Sequence, residues 1–477
     1  MKQGKVIGGF FWSTVETIFS QFLTFTAGII LARLLSPEEF GLIGMITIFI
    51  SISQIFITGG LNEALIRKET ISNQDINTTF FFNVLVSVVF YLILFFSSSW
   101  ISEYYNQPVL ILIIKILSLT IIINAFSQVQ QVKIIRDINF KQLAKVSILA
   151  SIISNSFGIF LAVKGFGVWS LVYKTILQSV ISAIYFWKIS DSVPQLKFNK
   201  DAFRDLFKFG GNLMALGLID SIYSNLNYLI IGKYYSVATL GQYTRAEVFK
   251  QLPSQTLTQV VQKVSFPLLS EMQNDKQKLQ FAYRRLIKTT MLISMIGLFL
   301  LSSISKELII VLMGAQWEQA GEFLQILCFS AIFFPLDALN GNILKVFNRS
   351  DIILKIGVLR KVLAIPLFIL LIKGYIIYFL YGLIFHQFVS FLLISNYSIK
   401  YINYGTWDQI KDITHFLVLT ILTYLVLTVL DFYLELPPLL NIVFKLTVGL
   451  LLCTTILEII KDRTYKDLKA IGLNFLK

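Results

Sequence analysis

The chain has 477 residues, of which 56% are hydrophobic and only 14% charged, with a mean hydropathy of +0.73. A water-soluble domain carries roughly a quarter charged residues, so this composition excludes a soluble enzyme or binding module. The formal charge of +14 need not mean nucleic acid, because the basic residues sort by membrane side, as set out below.

Residues 1–7 are short and basic, and the apolar run behind them, with Glu16 inside it, continues to Ile30. A run of about 25 residues is too long for a signal-peptide core, and no small-residue cleavage site follows, so the first helix is expected to be retained. Apolar blocks between polar punctuation then predict about fourteen spanning helices. They cover 10–32, 39–60, 78–98, 108–130, 146–163, 166–187, 209–232, 238–262, 287–305, 318–343, 354–372, 375–396, 413–432 and 439–460. With the N-terminus placed in the cytoplasm, 29 of the 41 basic residues fall on the cytoplasmic side and 5 on the other. That asymmetry is a strong positive-inside signal and puts both termini in the cytoplasm.

Two phrases repeat 200 residues apart: "ARLLSPEEFGL" from Ala32 and "GKYYSVATLGQ" from Gly232 align Arg33 with Lys233, Ser36 with Ser236 and Gly41 with Gly241. Each joins the first and second helix of a half on the outer face. An even number of spans separates them, so the halves form a parallel repeat about an axis along the membrane normal. The expected fold is an all-α polytopic membrane protein with two pseudo-two-fold-related six-helix lobes around a central cleft, plus two extra helices. The N-lobe is 1–190, the cytoplasmic inter-lobe linker 191–208, the C-lobe 209–400, and the last two helices with a cytoplasmic tail 401–477. Such lobes suit alternating access; a static duplicated bundle is the alternative. Gly41 and Gly241 would permit close corners, and Arg33 and Lys233 would anchor near the outer headgroups.

Seven basic residues fall inside predicted spans: Lys115, Lys174, Arg245, Lys250, Arg360, Lys361 and Lys445. Each costs roughly 2.5–3.5 kcal/mol at mid-bilayer unless it finds a partner, a wet cavity or the interface. Arg245 and Lys250 lie in the eighth span, which is unusually polar. There Glu247, Lys250, Ser254 and Thr258 share one face, Pro253 invites a kink, and Glu247 can partly neutralise Lys250 at i+3. A spanning helix of that polarity should line water; an amphipathic helix lying on the membrane is the alternative. Lys174 begins a Lys174–Gln178–Ser182 stripe, and Lys115 is placed similarly. Both have snorkelling as the competing reading. Arg360 and Lys361 either meet anionic lipid headgroups or snorkel, and Lys445 is expected to snorkel.

Three acids stand inside spans. Glu16 is in the first, Asp220 is at roughly equivalent depth in the seventh, and Asp337 lies in "FFPLDALNGN", where Pro335 and Gly341 could interrupt the tenth helix. A buried carboxylate tends to take a proton or bind Na⁺, so each could couple an ion gradient; an ion pair with a basic residue is the alternative. Cys328 and Cys453 read as small core residues, and His386 and His415 share no ligand spacing. No G-x-x-x-x-G-K-[ST] loop, H-E-x-x-H or G-x-S-x-G motif occurs, so no ATP site or hydrolase chemistry is expected.

The opening "GGFFWSTVETIFSQFLTFTAGIILARLLSPEEFGLIGM" resembles that of Wzx-type polysaccharide flippases in the MOP (multidrug/oligosaccharidyl-lipid/polysaccharide) exporter superfamily. Further matches follow in order: "DINTTFFFN", "VKIIRDINFKQLA", "GFGVWSLV", "KFGGNLM", "LGQYTRA", "VSFPLLSEMQND" and "MGAQWEQAGEFLQIL". The branch it is most similar to is the colanic-acid-type flippase. The resemblance implies a non-enzymatic flippase. It would move undecaprenyl-pyrophosphate-linked oligosaccharide from the cytoplasmic to the periplasmic leaflet of the bacterial inner membrane, in exopolysaccharide, O-antigen or lipopolysaccharide biosynthesis. Partners would be the lipid-linked oligosaccharide, membrane lipids, a polysaccharide polymerase and chain-length machinery. No cofactor is expected beyond a coupling ion, Na⁺ or H⁺, and the chain is expected to be a monomer.

For that substrate, Arg245, Lys250, Lys174, Lys115, Arg360 and Lys361 would replace the lost hydration of the pyrophosphate. Tyr223, Asn225, Asn227 and Tyr228, flanking Asp220, are offered for the sugar. A cation-coupled drug exporter of the same superfamily would have twelve spans and a less basic cavity. A membrane polysaccharide polymerase would have a large outer loop, whereas outer loops here are short, as in "SSSWISEYYNQP".

Overall fold

The computed structural model describes residues 2–58, 60–190, 193–434 and 436–475, among which there is no strand. The chain divides into two compact units, 1–241 and 242–477. The first holds α1 (Lys2–Leu34), α2 (Pro37–Thr58), α3 (Leu61–Arg67), α4 (Asn73–Tyr105), α5 (Leu110–Leu117), α6 (Leu119–Arg136), α7 (Phe140–Val163), α8 (Trp169–Ile189), α9 (Lys200–Tyr234) and the start of α10 (Val237–Glu271). The second holds the rest of α10, then α11 (Lys276–Ser303), α12 (Ser305–Met313), α13 (Glu318–Ala331), α14 (Phe334–Val346), α15 (Ser350–Leu363), α16 (Ile365–Ile372), α17 (Ile376–Ile402), α18 (Thr406–Leu434), α19 (Pro438–Ile459) and α20 (Arg463–Phe475).

Among the described residues, eleven helical segments are long and apolar enough to cross a membrane. They coincide with eleven of the fourteen expected spans. The sixth, eighth and eleventh fall on helices that miss on polarity or continuity. Lys174 and Gln178 interrupt the apolar run of α8, and α10 is polar along much of its length. The eleventh is divided at Ala364 into α15 and α16, with Pro366 in the first turn of the second piece, because proline cannot donate into the preceding turn.

The ends of the long helices are set by side chains that satisfy the first free N–H groups. Ser72 and Asp75 form a reciprocal capping box at α4, Asn199 accepts from Asp201 and Ala202 at α9, and Asp275 accepts from Lys278 at α11. The described part of the linker is laid on α4. Gln195 N–H donates to Asn77 (2.8 Å), Asn199 N–H donates to Thr78 Oγ1 (3.1 Å), and the Phe198 ring meets Phe81 and Phe203. Asp191 and Ser192 lie outside the described residues, as do Met1 and Lys477.

The repeated phrase has a structural meaning beyond turning a corner. In each copy the serine opens a helix. Ser36 N–H donates to Glu39 Oε2 at 2.7 Å, and Ser236 Oγ accepts from Thr239 N–H at 3.0 Å. The glycines then let the two helix starts touch. A Cβ on Gly41 would collide with the carbonyl of Val237, and one on Gly241 would collide with the carbonyl of Pro37. Val237 and Pro37 are themselves 200 apart, so the contact is reciprocal, as a local two-fold axis requires.

The same seam continues inward between α2 and α9, with Gly232 against Met45, Gly217 against Ile55, and Gly210 at α9 against Gly60 just before α3. Small residues allow this close backbone approach where lipid offers no hydrophobic drive. Compactness thus divides the chain at Gly241 and keeps α9 in the first unit. Lys233 places its ammonium 4.4 Å from the Tyr104 ring and donates to the Tyr104 carbonyl, tying α9 to the end of α4.

Candidate functional site

Four of the candidate residues belong to the first unit. Lys115 places its ammonium 4.4 Å from the Phe95 ring centroid, a cation–π contact inside the bundle. Lys174 lays its stem against Gly158, where a Cβ would sit 2.9 Å from the lysine Cβ. Glu16 is half-buried in α1, on the helix that packs against α7, where Ser20 and Ser147 hydroxyls bond at 3.1 Å. Asp220 is exposed on α9 and engaged in contacts of its own. Near it, Asn225 donates back to the Ser221 carbonyl at 2.8 Å.

The second unit pairs three of its intramembrane cations, Lys250, Arg360 and Lys445, with carboxylates. On α10, Lys250 Nζ lies 2.7 Å from Glu247 Oε1, and Gln251 donates to that same oxygen at 3.0 Å. The lysine is 5% exposed, with the Phe334 ring 5.5 Å from its ammonium. The second carboxylate oxygen, Glu247 Oε2, is buried without a hydrogen-bond partner among the described residues. Arg245, five residues earlier, is half-buried and has contacts of its own. Ser254 and Thr258 share the face with Lys250 as expected. Their hydroxyls nevertheless bond back to the carbonyls of Lys250 (2.8 Å) and Ser254 (2.7 Å), a common way for a helix to absorb them. The helix runs on through both Pro253 and Pro267.

Asp337 and Arg360 come together. The tenth span breaks between α13 and α14 at Ile332–Phe333, and Pro335 follows in the first turn of α14; Gly341 does not interrupt it. Asp337 therefore sits in the first turn of a half-helix, where free N–H groups and the dipole favour an anion. Its Oδ2 receives Arg360 Nη1 at 3.2 Å, Gln387 Nε2 at 2.7 Å and Ser390 Oγ at 3.1 Å. Arg360 Nη2 also donates to the Ser390 carbonyl at 2.9 Å, and the His386 ring nitrogen lies 2.9 Å from the Arg360 carbonyl. Arg360 thus neither snorkels nor faces headgroups; a carboxylate closer than the interface holds it. Lys361 beside it is half-buried and separately engaged. Gln387 and Ser390 were not singled out by sequence, although their i, i+3 spacing in an otherwise apolar helix is a legible signal.

Lys445 departs most from expectation. It is buried rather than snorkelling, with Nζ 2.7 Å from Glu307, 2.9 Å from Asp431 and 3.0 Å from the Ser303 carbonyl. Asn441 Nδ2 donates to both acids. This cluster ties α19 to α18, to α12 and to the end of α11. A further buried network links α11, α14, α17 and α18. Asp412 takes the Arg284 guanidinium, the Lys288 ammonium at 3.5 Å and the Tyr404 hydroxyl at 2.8 Å. Asn340 and Gln409 exchange amide hydrogen bonds at 3.0 and 3.1 Å, and Tyr283 donates to Asn340 at 2.8 Å. Outside the spans of the first unit, Lys68 bridges Asp75 and Asp205, each at 2.9 Å. The hydrogen bonds to Asp205 and then Asp75 hold its ammonium pKa above the ordinary lysine value.

Many apolar crossings, with broken and polar helices and carboxylate-paired cations among them, define a multi-pass membrane protein. Residues 30–322 match the family described as "Polysaccharide biosynthesis protein", and the chain belongs to that family. It is 24% identical over 353 residues to the teichuronic acid biosynthesis protein TuaB of Bacillus subtilis, covering 73% of this chain and 72% of the relative. It is also 24% identical over 368 residues to the lipopolysaccharide biosynthesis protein WzxC of Escherichia coli, covering 76% and 74%. Its fold is similar to that of the lipid II flippase MurJ in the inward closed conformation. The TM-score is 0.76 at 16% identity, over 94% of this chain and 99% of that one.

Proposed function

We propose that this protein is a flippase that carries an undecaprenyl-pyrophosphate-linked oligosaccharide from the cytoplasmic to the periplasmic leaflet of a bacterial inner membrane by alternating access. Family membership supports polysaccharide biosynthesis as the setting, and the MurJ-like fold supports a lipid-linked cargo. In this reading fourteen helices span, α8, α10 and the α15–α16 pair among them, and both termini lie in the cytoplasm. The lobes are those of the repeat, 1–190 and 209–400, joined by 191–208. The chain acts as a monomer, supplies a polymerase and chain-length machinery, uses no cofactor and catalyses no covalent step.

The observation that carries the reading is Lys250, held deep in a polar helix by a carboxylate that can be exchanged. Its buried ammonium, paired with Glu247, can donate to an incoming phosphate oxygen in place of the carboxylate, since charge-assisted bonds to either are of similar strength. Arg245, Lys174, Lys115, Arg360 and Lys361 supply further moderate sites, so that no single one traps the cargo. Glu16, Asp220 and Asp337 are the places where H⁺ or Na⁺ would couple; Asp337, at a half-helix start and already balanced by Arg360, has the most suitable surroundings.

The test is flipping of a fluorescent polyprenyl-pyrophosphate oligosaccharide in proteoliposomes, for wild type and for Arg245→Ala with Lys250→Ala. Loss of flipping in a folded double variant supports the reading. Unchanged flipping removes α10 from the pathway. A folded wild type that ignores the lipid but exports an organic cation would make the drug-exporter reading correct.

A further inference from the structure

An open apolar groove of about 650 Å³ lies between the end of α10 and the start of α11. Leu268 and Met272 form one wall, and Phe281, Ala282 and Leu286 the other. Phe281 is 70% exposed. Lys278, Ala282, Arg285 and Thr289 follow one another at i, i+4, i+7 and i+11, so two cations flank the apolar floor on a single helix face.

Depth decides what that floor meets. The helix α11 has 28 residues, roughly 42 Å at 1.5 Å per residue, against a hydrocarbon core of about 30 Å. Its first turns therefore stand at headgroup level. On the orientation proposed above, on which this inference rests, that level belongs to the cytoplasmic leaflet. Between Lys263 and Lys288 the chain carries six basic residues and two acidic ones. Arg284 and Lys288 are committed to the buried Asp412. Lys278 and Arg285 have only exposed partners, Asp275 at 3.2 Å and Asp467 of α20 at 3.0 Å. Exposed pairs of this kind hold weakly and can be exchanged.

We infer that this groove binds one anionic phospholipid of the cytoplasmic leaflet, with its phosphate between Lys278 and Arg285 and an acyl chain along Phe281 and Leu268. The charge balance of the segment selects an anionic head over a zwitterionic one, and an acyl chain covers the exposed ring. The phosphate takes the place of Asp467 at Arg285, so the lipid and α20 compete for the same guanidinium.

The test uses the purified full-length protein in neutral detergent, titrated with phosphatidylglycerol or phosphatidylcholine and followed by native mass spectrometry. Wild type should bind one phosphatidylglycerol in preference to phosphatidylcholine. Lys278→Gln with Arg285→Gln should weaken that binding about 30-fold, from about fivefold per basic residue at a membrane surface. Asp467→Asn should tighten it roughly threefold by freeing Arg285. Both variants alter exposed side chains, and an unchanged unfolding temperature checks that they fold. Binding that changes less than about threefold in the double variant overturns the proposal. So does undecaprenyl phosphate displacing phosphatidylglycerol from wild type at equal mole fraction, which would make the groove a docking place for the carrier lipid and leave the flippase reading intact.

Discussion

The two compact units solve the same problem differently. In the first, Lys115 rests on the face of Phe95 and Lys174 packs its stem on Gly158. In the second, Lys250, Arg360 and Lys445 each have a carboxylate within 3.2 Å. A cation on a ring is held by about 0.5–2 kcal/mol, whereas removing one partner of a buried ion pair leaves an uncompensated charge and costs about 3–5 kcal/mol. The difference implies that Arg360 and Lys445 help hold the helices of the second unit together, whereas Lys115 on its ring adds little to the packing of the first.

The most damaging single change should be Lys445→Met, which leaves Glu307 and Asp431 facing each other beside Asn441. A loss of about 3–5 kcal/mol is expected, read as a fall in unfolding temperature in detergent. Adding Glu307→Gln and Asp431→Asn should recover most of it. A single variant no weaker than Lys115→Met would end the contrast between the units.

Arg360→Gln and Asp337→Asn come next. Each alone should cost nearly as much, while the double variant should be milder than their sum by about 1–3 kcal/mol of coupling. A simple sum would mean that the pair is not an energetic unit.

Gly41→Ala or Gly241→Ala should cost about 1–3 kcal/mol through overpacking at the contact between the two helix starts. The two should be equivalent if the reciprocal geometry is real, and a large asymmetry would break it. The smallest effect belongs to Lys115→Met, expected to cost at most about 1 kcal/mol. A greater loss would show that the first unit also depends on its intramembrane charge.

Much of this architecture is legible in one dimension because a bilayer imposes length and polarity on each helix separately. The apolar blocks locate eleven crossings, and the 200-residue echo anticipates the paired corners. The Glu247–Lys250 pair is readable as well, since i and i+3 on one helix are neighbours in any fold. Legibility fails where partners come from distant helices. Lys445 reads as a snorkelling residue because its neighbours within the helix are apolar, and its partners Glu307 and Asp431 lie on other helices. Arg360 reads as a headgroup contact for the same reason. Asp412, Tyr404 and Arg284 look like ordinary polar residues until α11, α18 and the turn before α18 bring them together.

Sequence by itself therefore determined the membrane class, the helical alphabet and the repeated corner, since these follow from local composition and from transfer energies summed residue by residue. Only the tertiary structure decided which charges are neutralised, which glycines touch across the seam, and where the compact units divide. Those depend on which helix faces meet, and a contact between residues on different helices leaves no periodic trace in the chain that makes it.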